Sequence, residues 1–250
     1  VANTLTSDDH RLQGDLGILW YGDPGPTKMI NRHEGASAPL STNGRMFIQG
    51  IDSVVCYDAY NGMFLWEVKN PGALRTGVFN NEESSNLAAS DDALFVAVDD
   101  TCTMYDAASG EILNEFKAPQ SDDEIPRVWG YIAHLNGLLL GTSTIRKELA
   151  ASLRRRGHSV DNETDALFAY DLKTGKQKWL YRGKNVLHVT IALDDGRVFF
   201  IDSSISGAER EALLRQDKSE LKNLGPEEAK KKEEELKKLA TNLRIPVSNV

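Results

Sequence analysis

The sequence predicts an all-β fold built from repeated four-stranded antiparallel units, and three observations carry this. The segment CYDAYNGMFLW at Cys56–Trp66 recurs as YDAASGEILNEF at Tyr105–Phe116 and as AYDLKTGKQKW at Ala169–Trp179. The shared skeleton is Tyr-Asp-x3-Gly-x3-Trp, with Asn114 in place of the Trp in the second copy. Asp58 and Asp106 stand 48 residues apart, as do Gly62 and Gly110, so the first two copies keep register. Apolar runs also recur: RMFIQG at 45–50, ALFVAV at 93–98, LLLGTS at 138–143 and RVFFID at 197–202. Copies at such a period are supersecondary units that bury their apolar faces only by stacking on one another.

Within a unit, each element has its own signal. A short strand of small residues opens it: SAPL, NLAAS, GYIAHL or HVTIAL. A turn follows, at Thr42-Asn43-Gly44, Asp91-Asp92, Asn136-Gly137 or Asp194-Asp195-Gly196. Then come the apolar strand, a third strand ending at the motif Asp, the Asp-x3-Gly turn, and a fourth strand reaching the Trp. Four short antiparallel strands in about 45–50 residues describe a propeller blade.

The predicted organisation is therefore a partial β-propeller with helical insertions. Residues 1–36 form a lead-in segment that includes the outer strand of a preceding blade, GDLGILW at Gly14–Trp20. Blades follow at 37–69, 86–117 and 129–181, and a further blade starts at 187–204. In the third blade the spacing from Asp106 to Asp171 stretches to 65 residues, which places an insertion at 144–163. Ile145, Leu149 and Leu153 recur there at i, i+4 and i+8, a helical stripe. Residues 205–244 read as a helical hairpin, restarted at Gly225-Pro226 with Glu227 and Glu228 in the first turn. Both insertions fall between second and third strands, so strand alternation puts them on the face opposite the Asp-x3-Gly turns.

Composition narrows the function classes. A formal net charge of -8 argues against a general nucleic-acid binder. No run of apolar residues is long enough for a membrane-spanning helix. The chain starts at Val1 without a signal pattern, and it is read as part of a longer polypeptide whose remaining blades are its first partners. Cys56 and Cys102 lie on different units and read as small apolar strand residues rather than a disulfide. The basic residues Arg146, Lys147, Arg154, Arg155 and Arg156 are opposed there by Glu148. That helix is a solvated face, or docks on the acidic body or on a protein partner at the insertion face.

Candidate ligand residues stand near the start of the innermost strands, where a propeller has its channel: His33, Arg75, Arg127, Trp129 and His188. Two guanidiniums, Arg75 and Arg127, would suit a carboxylate ligand through their fixed fork of donors; the plainer reading pairs them with carboxylates of neighbouring blades. The histidines read as solvated or hydrogen-bonded structural residues. No spacing gives a catalytic triad or a metal-ligand pattern. Asp122-Asp123-Glu124 lacks the alternating ligands and central Gly of a calcium loop and reads as a turn.

In the motif itself, the Asp can accept backbone amides across the turn, and the Gly supplies a positive φ or a close approach. The Trp can cover the neighbouring blade while its N–H finds an acceptor. With these residues the repeats resemble those of the pyrroloquinoline-quinone (PQQ) type propellers, whose tryptophan-docking motif is Ala-x-Asp-x3-Gly-x3-Trp. Asp58, Gly62 and Trp66 match it, as do Asp171, Gly175 and Trp179; Asp106 and Gly110 match, and Asn114 departs. The resemblance covers about residues 14–204. It implies a periplasmic or cell-envelope protein, with PQQ and calcium as cofactors by resemblance only. The family includes quinoprotein dehydrogenases that oxidise alcohols or sugars, and also non-catalytic scaffolds. This chain has no adjacent cysteine pair and no catalytic Asp placed by motif, so the expected function is a binding or interaction scaffold, with part of a PQQ-dependent dehydrogenase as the alternative.

Overall fold

The structure is a computed structural model and describes residues 17–18, 34–35, 37–72, 76–77, 85–146, 149, 152–153, 155–156, 164–194, 196–203, 225, 227–228 and 230–231. Its sheets are antiparallel. A short pair joins β1 (Glu34–Gly35) to β6 (Thr76–Gly77). Blade 1 is β2 (Leu40–Thr42), β3 (Arg45–Gly50), β4 (Ser53–Asp58) and β5 (Phe64–Lys69). Blade 2 is β7 (Leu87–Ala89), β8 (Ala93–Val98), β9 (Thr101–Asp106) and β10 (Ile112–Lys117). Blade 3 is β11 (Val128–Leu135), β12 (Leu138–Thr144), β13 (Thr164–Asp171) and β14 (Gln177–Arg182). In each, strand order follows the chain. A two-stranded ribbon, β15 (Ala192–Asp194) with β16 (Arg197–Phe199), begins the next unit.

β8 and β12 are packed on both faces, which is why they read as unbroken apolar runs rather than as an alternation. In β8, Leu94 and Val96 turn toward blade 1, while Ala93, Phe95 and Ala97 turn toward blade 3; all five are at most 1% exposed. Two cores result, one per junction. Phe47, Val54, Cys56 and Trp66 meet Leu87, Leu94, Val96, Tyr105 and Ala107 between blades 1 and 2. Phe95, Cys102 and Phe116 meet Trp129, Ile132, Leu139 and Phe168 between blades 2 and 3. Each large side chain so buried contributes about 1.5–3 kcal/mol. Cys56 and Cys102 sit in different cores and are free thiols.

The turns follow their chemistry. Asn43-Gly44 and Asn136-Gly137 have positive φ at both residues (46° and 73°, 48° and 76°), the conformation that matches strand twist in a two-residue hairpin. At each Asp-x3-Gly turn the Asp side chain accepts backbone N–H groups: Tyr60 and Asn61 on Asp58, Ala108 and Ser109 on Asp106, Thr174 on Asp171. The Gly N–H closes on the carbonyl of the same Asp at 2.8–2.9 Å.

The first-to-second and third-to-fourth strand turns lie at one end of the blades. They are tied within each blade by Ala59 N–H to Gly44 O, Ala107 N–H to Asp92 O and Leu172 N–H to Gly137 O. The second-to-third turns and the connections between blades lie at the other end.

One expectation changes here. The helical insertions at 144–163 and 205–244 are not supported as elements of the described fold. Among the described residues, helical backbone occurs there only at Leu149, Ser152, Leu153 and Arg155 in the first and Glu227, Glu228, Lys230 and Lys231 in the second; Thr144, Ile145, Arg146, Arg156 and Gly225 are not helical, and the other positions lie outside the described residues. The expected outer strand at Gly14–Trp20 likewise falls outside them, apart from Gly17 and Ile18, which are not in a strand. The interval between β12 and β13 does separate second and third strands of a blade.

Candidate functional site

The connection between blades 2 and 3 holds the densest polar cluster. Gln120 braces this loop, accepting the Arg127 N–H at 2.8 Å and donating to the carbonyls of Ala118 and Arg127. Arg127 is 2% exposed. Its Nε and Nη2 donate to Asp165 Oδ2 at 3.2 and 2.9 Å, Nη2 also reaches Asp123 Oδ2 at 2.7 Å, and Nη1 donates to Ile125 O at 2.7 Å. Burial works against the guanidinium charge, but the bonds and fields of Asp123 and Asp165 outweigh it and raise its pKa. Asp123 is held below the usual carboxylate value because Arg127 and the Ile125 N–H outweigh its own desolvation. Ser121 also donates to Asp165, and Arg182 closes the group through Ser121 Oγ at 3.0 Å and Gln120 O at 2.5 Å. Asp165 Oδ1 accepts no hydrogen bond and faces Arg182 Nη1 at 3.9 Å.

Beside this cluster opens a cleft of about 570 Å³. Ala118, Pro126, Val128 and Leu149 form its apolar part, and Asp99, Asp100, Lys117 and Arg146 its charged part. Those charges are paired, Lys117 with Asp100 at 3.1 Å and Arg146 with Asp99. The cleft can take an apolar side chain but brings no nucleophile and base together.

The channel candidates are distributed as follows. Arg127 engages all three of its nitrogens inside the protein, so it serves as a clamp between the connection and β13 rather than as an open anion fork. Trp129 is 1% exposed, so the structure moves it from the channel to the junction core. Its N–H donates to Phe116 O at 3.3 Å, its ring meets Phe168 edge-on at 4.8 Å, and it fills the space over Gly141, where a Cβ would lie 2.2 Å from it. Strand alternation explains the difference: proximity to the start of β11 says nothing of which way a side chain points. His188 Nε2 lies 2.8 Å from Thr142 Oγ1 and 3.3 Å from Thr164 Oγ1, with its ring against Gly130. Arg75 and His33 lie outside the described residues. A planar tricarboxylate such as PQQ would need free cations and an open aromatic face, which Arg127 and Trp129 do not offer.

The repeat residues make the blade-to-blade contacts. The Trp66 N–H donates to Ala107 O at 3.1 Å, and a Cβ on Gly110 would lie 2.9 Å from the indole. Asn114, at the equivalent place in blade 2, reaches Gly175 in the same way, 3.2 Å from where its Cβ would be. The lost indole is compensated by Phe116, which packs on Tyr170 at 5.1 Å. Trp179 is half-buried opposite Ala169. Sequence reasoning assigned no role to the Tyr before each motif Asp. Tyr105 donates to Asn70 Oδ1 at 3.0 Å and Tyr170 to Lys117 O at 2.7 Å, both reaching back to the end of the previous blade. The signal was present, since Tyr57, Tyr105 and Tyr170 recur in all three copies.

Among the described residues no group of three His, Cys, Asp or Glu side chains converges on a common point, and no helix is long and apolar enough to cross a membrane. A family model described as outer membrane protein assembly factor BamB matches residues 17–164. No curated protein matches the sequence. Among solved structures, a europium-containing methanol dehydrogenase shares 17% identity over 67% of this chain and 38% of its own, with a TM-score of 0.46. BamB from Moraxella catarrhalis shares 10% over 71% of this chain and 51% of its own, with a TM-score of 0.40. The quinohemoprotein alcohol dehydrogenase from Comamonas testosteroni shares 12% over 67% and 32%, with a TM-score of 0.41. The chain thus spans between about a third and a half of these structures.

Proposed function

Because the chain belongs to the PQQ-type repeat family described as outer membrane protein assembly factor BamB, we propose that it is the propeller module of a cell-envelope protein and works as a binding scaffold for a protein partner. The observation that carries this reading is the use made of the candidate ligand residues. Arg127 and Trp129 are spent on holding blades 2 and 3 together, while large apolar side chains are left on the outside at Tyr60, Met63, Phe64, Ile112 and Leu113. A scaffold presents such side chains to a partner, and an enzyme of this family would need its cations and aromatic faces free in the channel. The repeat contacts fit the same reading: Trp66 on Gly110 acts as the docking contact of the family and makes a rigid frame.

The test is an activity measurement on the complete polypeptide supplied with PQQ and calcium. Dye-linked oxidation of alcohols and sugars should stay at background. Turnover that depends on added PQQ would overturn the scaffold reading.

A further inference from the structure

The sequence holds three Asn-Gly dipeptides, at Asn43-Gly44, Asn61-Gly62 and Asn136-Gly137. In such a pair the side-chain amide carbon can reach the backbone nitrogen of the next residue, and glycine has no side chain to shield that nitrogen. Attack of the Gly nitrogen on Cγ closes a five-membered succinimide. The bond formed is N–Cγ and the bond broken is Cγ–Nδ2. The Gly N–H proton goes to solvent base, and solvent returns a proton to the departing ammonia. Water then opens the ring at either carbonyl, giving aspartate or isoaspartate. Water is the only co-reactant.

All three asparagines are exposed, and their turns lie at the end of the blades that carries the Asp-x3-Gly turns. They differ in what holds them. Cyclisation requires a rotation within the turn, so each bond to the asparagine or to the glycine nitrogen works against it. At Asn61 the side-chain oxygen accepts the Met63 N–H at 2.8 Å, and the Asn61 N–H donates to Asp58 Oδ1 at 3.1 Å. The Gly62 N–H, the nucleophile of that pair, donates to Asp58 O at 2.9 Å. At Asn43 the side-chain nitrogen donates to Asp91 O at 3.5 Å, and the neighbouring Thr42 donates to Asp91 Oδ1 at 2.5 Å. The Tyr60 ring covers Gly44, 3.1 Å from where its Cβ would be. At Asn136 neither the side-chain amide nor the Gly137 N–H makes a hydrogen bond among the described residues. The space over Gly137 is open, with nothing within 4 Å of where its Cβ would be.

We propose that Asn136 is a site of spontaneous modification, converting through the succinimide to aspartate and isoaspartate ahead of Asn43 and Asn61, and that the conversion loosens the turns of blade 3. Isoaspartate inserts a methylene into the main chain of a two-residue hairpin that sets Leu135 opposite Leu138. Gly137 O also accepts the Leu172 N–H at 3.0 Å, beside the motif residue Asp171. The product therefore strains the tie between the two turns and adds a negative charge next to it. This site goes beyond the scaffold reading and does not depend on it.

The complete polypeptide is incubated in mildly alkaline buffer and sampled for peptide mapping by mass spectrometry. The mass gain from amide to acid reads conversion, and electron-transfer fragmentation separates isoaspartate from aspartate. Asn136 should convert at least about fivefold faster than Asn43 or Asn61, the factor that one retained hydrogen bond represents. In urea the three rates should draw together, which ties the order to the fold rather than to the dipeptide. Converted protein should show faster hydrogen exchange at the Leu172 amide. Asn136→Gly, which suits the same turn and carries no amide, should keep the slow exchange through the same incubation. Equal rates at the three sites of the folded protein, faster conversion at Asn43 or Asn61, an intact Asn136 after the unfolded chain has converted, or unchanged Leu172 exchange in protein carrying isoaspartate would overturn the proposal.

Discussion

Trp66 rests on Gly110 across the junction of blades 1 and 2: a Cβ on the glycine would lie 2.9 Å from the indole, and the indole N–H donates to Ala107 O at 3.1 Å. The Trp of one repeat thus packs on the glycine of the next, whose φ of +76° already favours glycine. Trp66→Ala should cost about 3–5 kcal/mol. Gly110→Ala should cost about 2–3 kcal/mol from the left-handed backbone and overpacking together. Asn114→Trp, which restores the motif opposite Gly175, should add about 1 kcal/mol. Urea unfolding of the three variants checks all of these.

Arg127 and Asp165 form a buried pair whose separate removal should be worse than its joint removal. Arg127→Leu leaves Asp165 desolvated beside Arg182 and should cost about 3–5 kcal/mol. Arg127→Lys should recover little, because one ammonium cannot replace the fork that binds Asp165, Asp123 and Ile125 together. Arg127→Leu with Asp165→Leu should be closer to wild type than Arg127→Leu alone, and a double-mutant cycle reads the coupling.

The parts of this fold that were legible in the sequence are the parts that repeat. The spacing of Asp58 and Asp106 located blades, and Asn43-Gly44 and Asn136-Gly137 located hairpins, because turn conformation is decided locally. The roles of Arg127 and Trp129 were not legible. Arg127 finds its partner 38 residues away on β13, and Trp129 takes its direction from the space over Gly141; neither follows from position along the chain. The tyrosines at 57, 105 and 170 show a recurrence that was visible in the sequence, while the bonds by which Tyr105 and Tyr170 pin the previous blade were not.

Acid should weaken the turns. Asp106 and Asp171 have folded pKa values below their ordinary value of about 3.9, chiefly because the backbone N–H groups of Ser109 and Thr174 donate to them, followed by the hydroxyls of the same residues. A depressed folded pKa gives stability that is complete above the unfolded value and is lost as pH falls through the folded one. Melting temperature should therefore drop below about pH 4, and Asp106→Asn with Asp171→Asn should flatten that acid limb.

The thiols should be silent in the folded state. Burial pushes the Cys56 thiol up to about 11; nearby Arg45 opposes this and Asp58 adds to it. Cys102 is fully buried. Iodoacetamide at about pH 8 should label neither until urea unfolds the chain, since only the thiolate of an accessible cysteine reacts.

The central claim is that Arg127 and Trp129, read from the sequence as channel residues, are blade fasteners here. It is tested most directly by calorimetric titration of PQQ, with calcium present, into the complete polypeptide. The account predicts no saturable heat up to about 100 µM. A stoichiometric micromolar site, weakened by substitution of Arg127 under conditions where the fold survives, would contradict it.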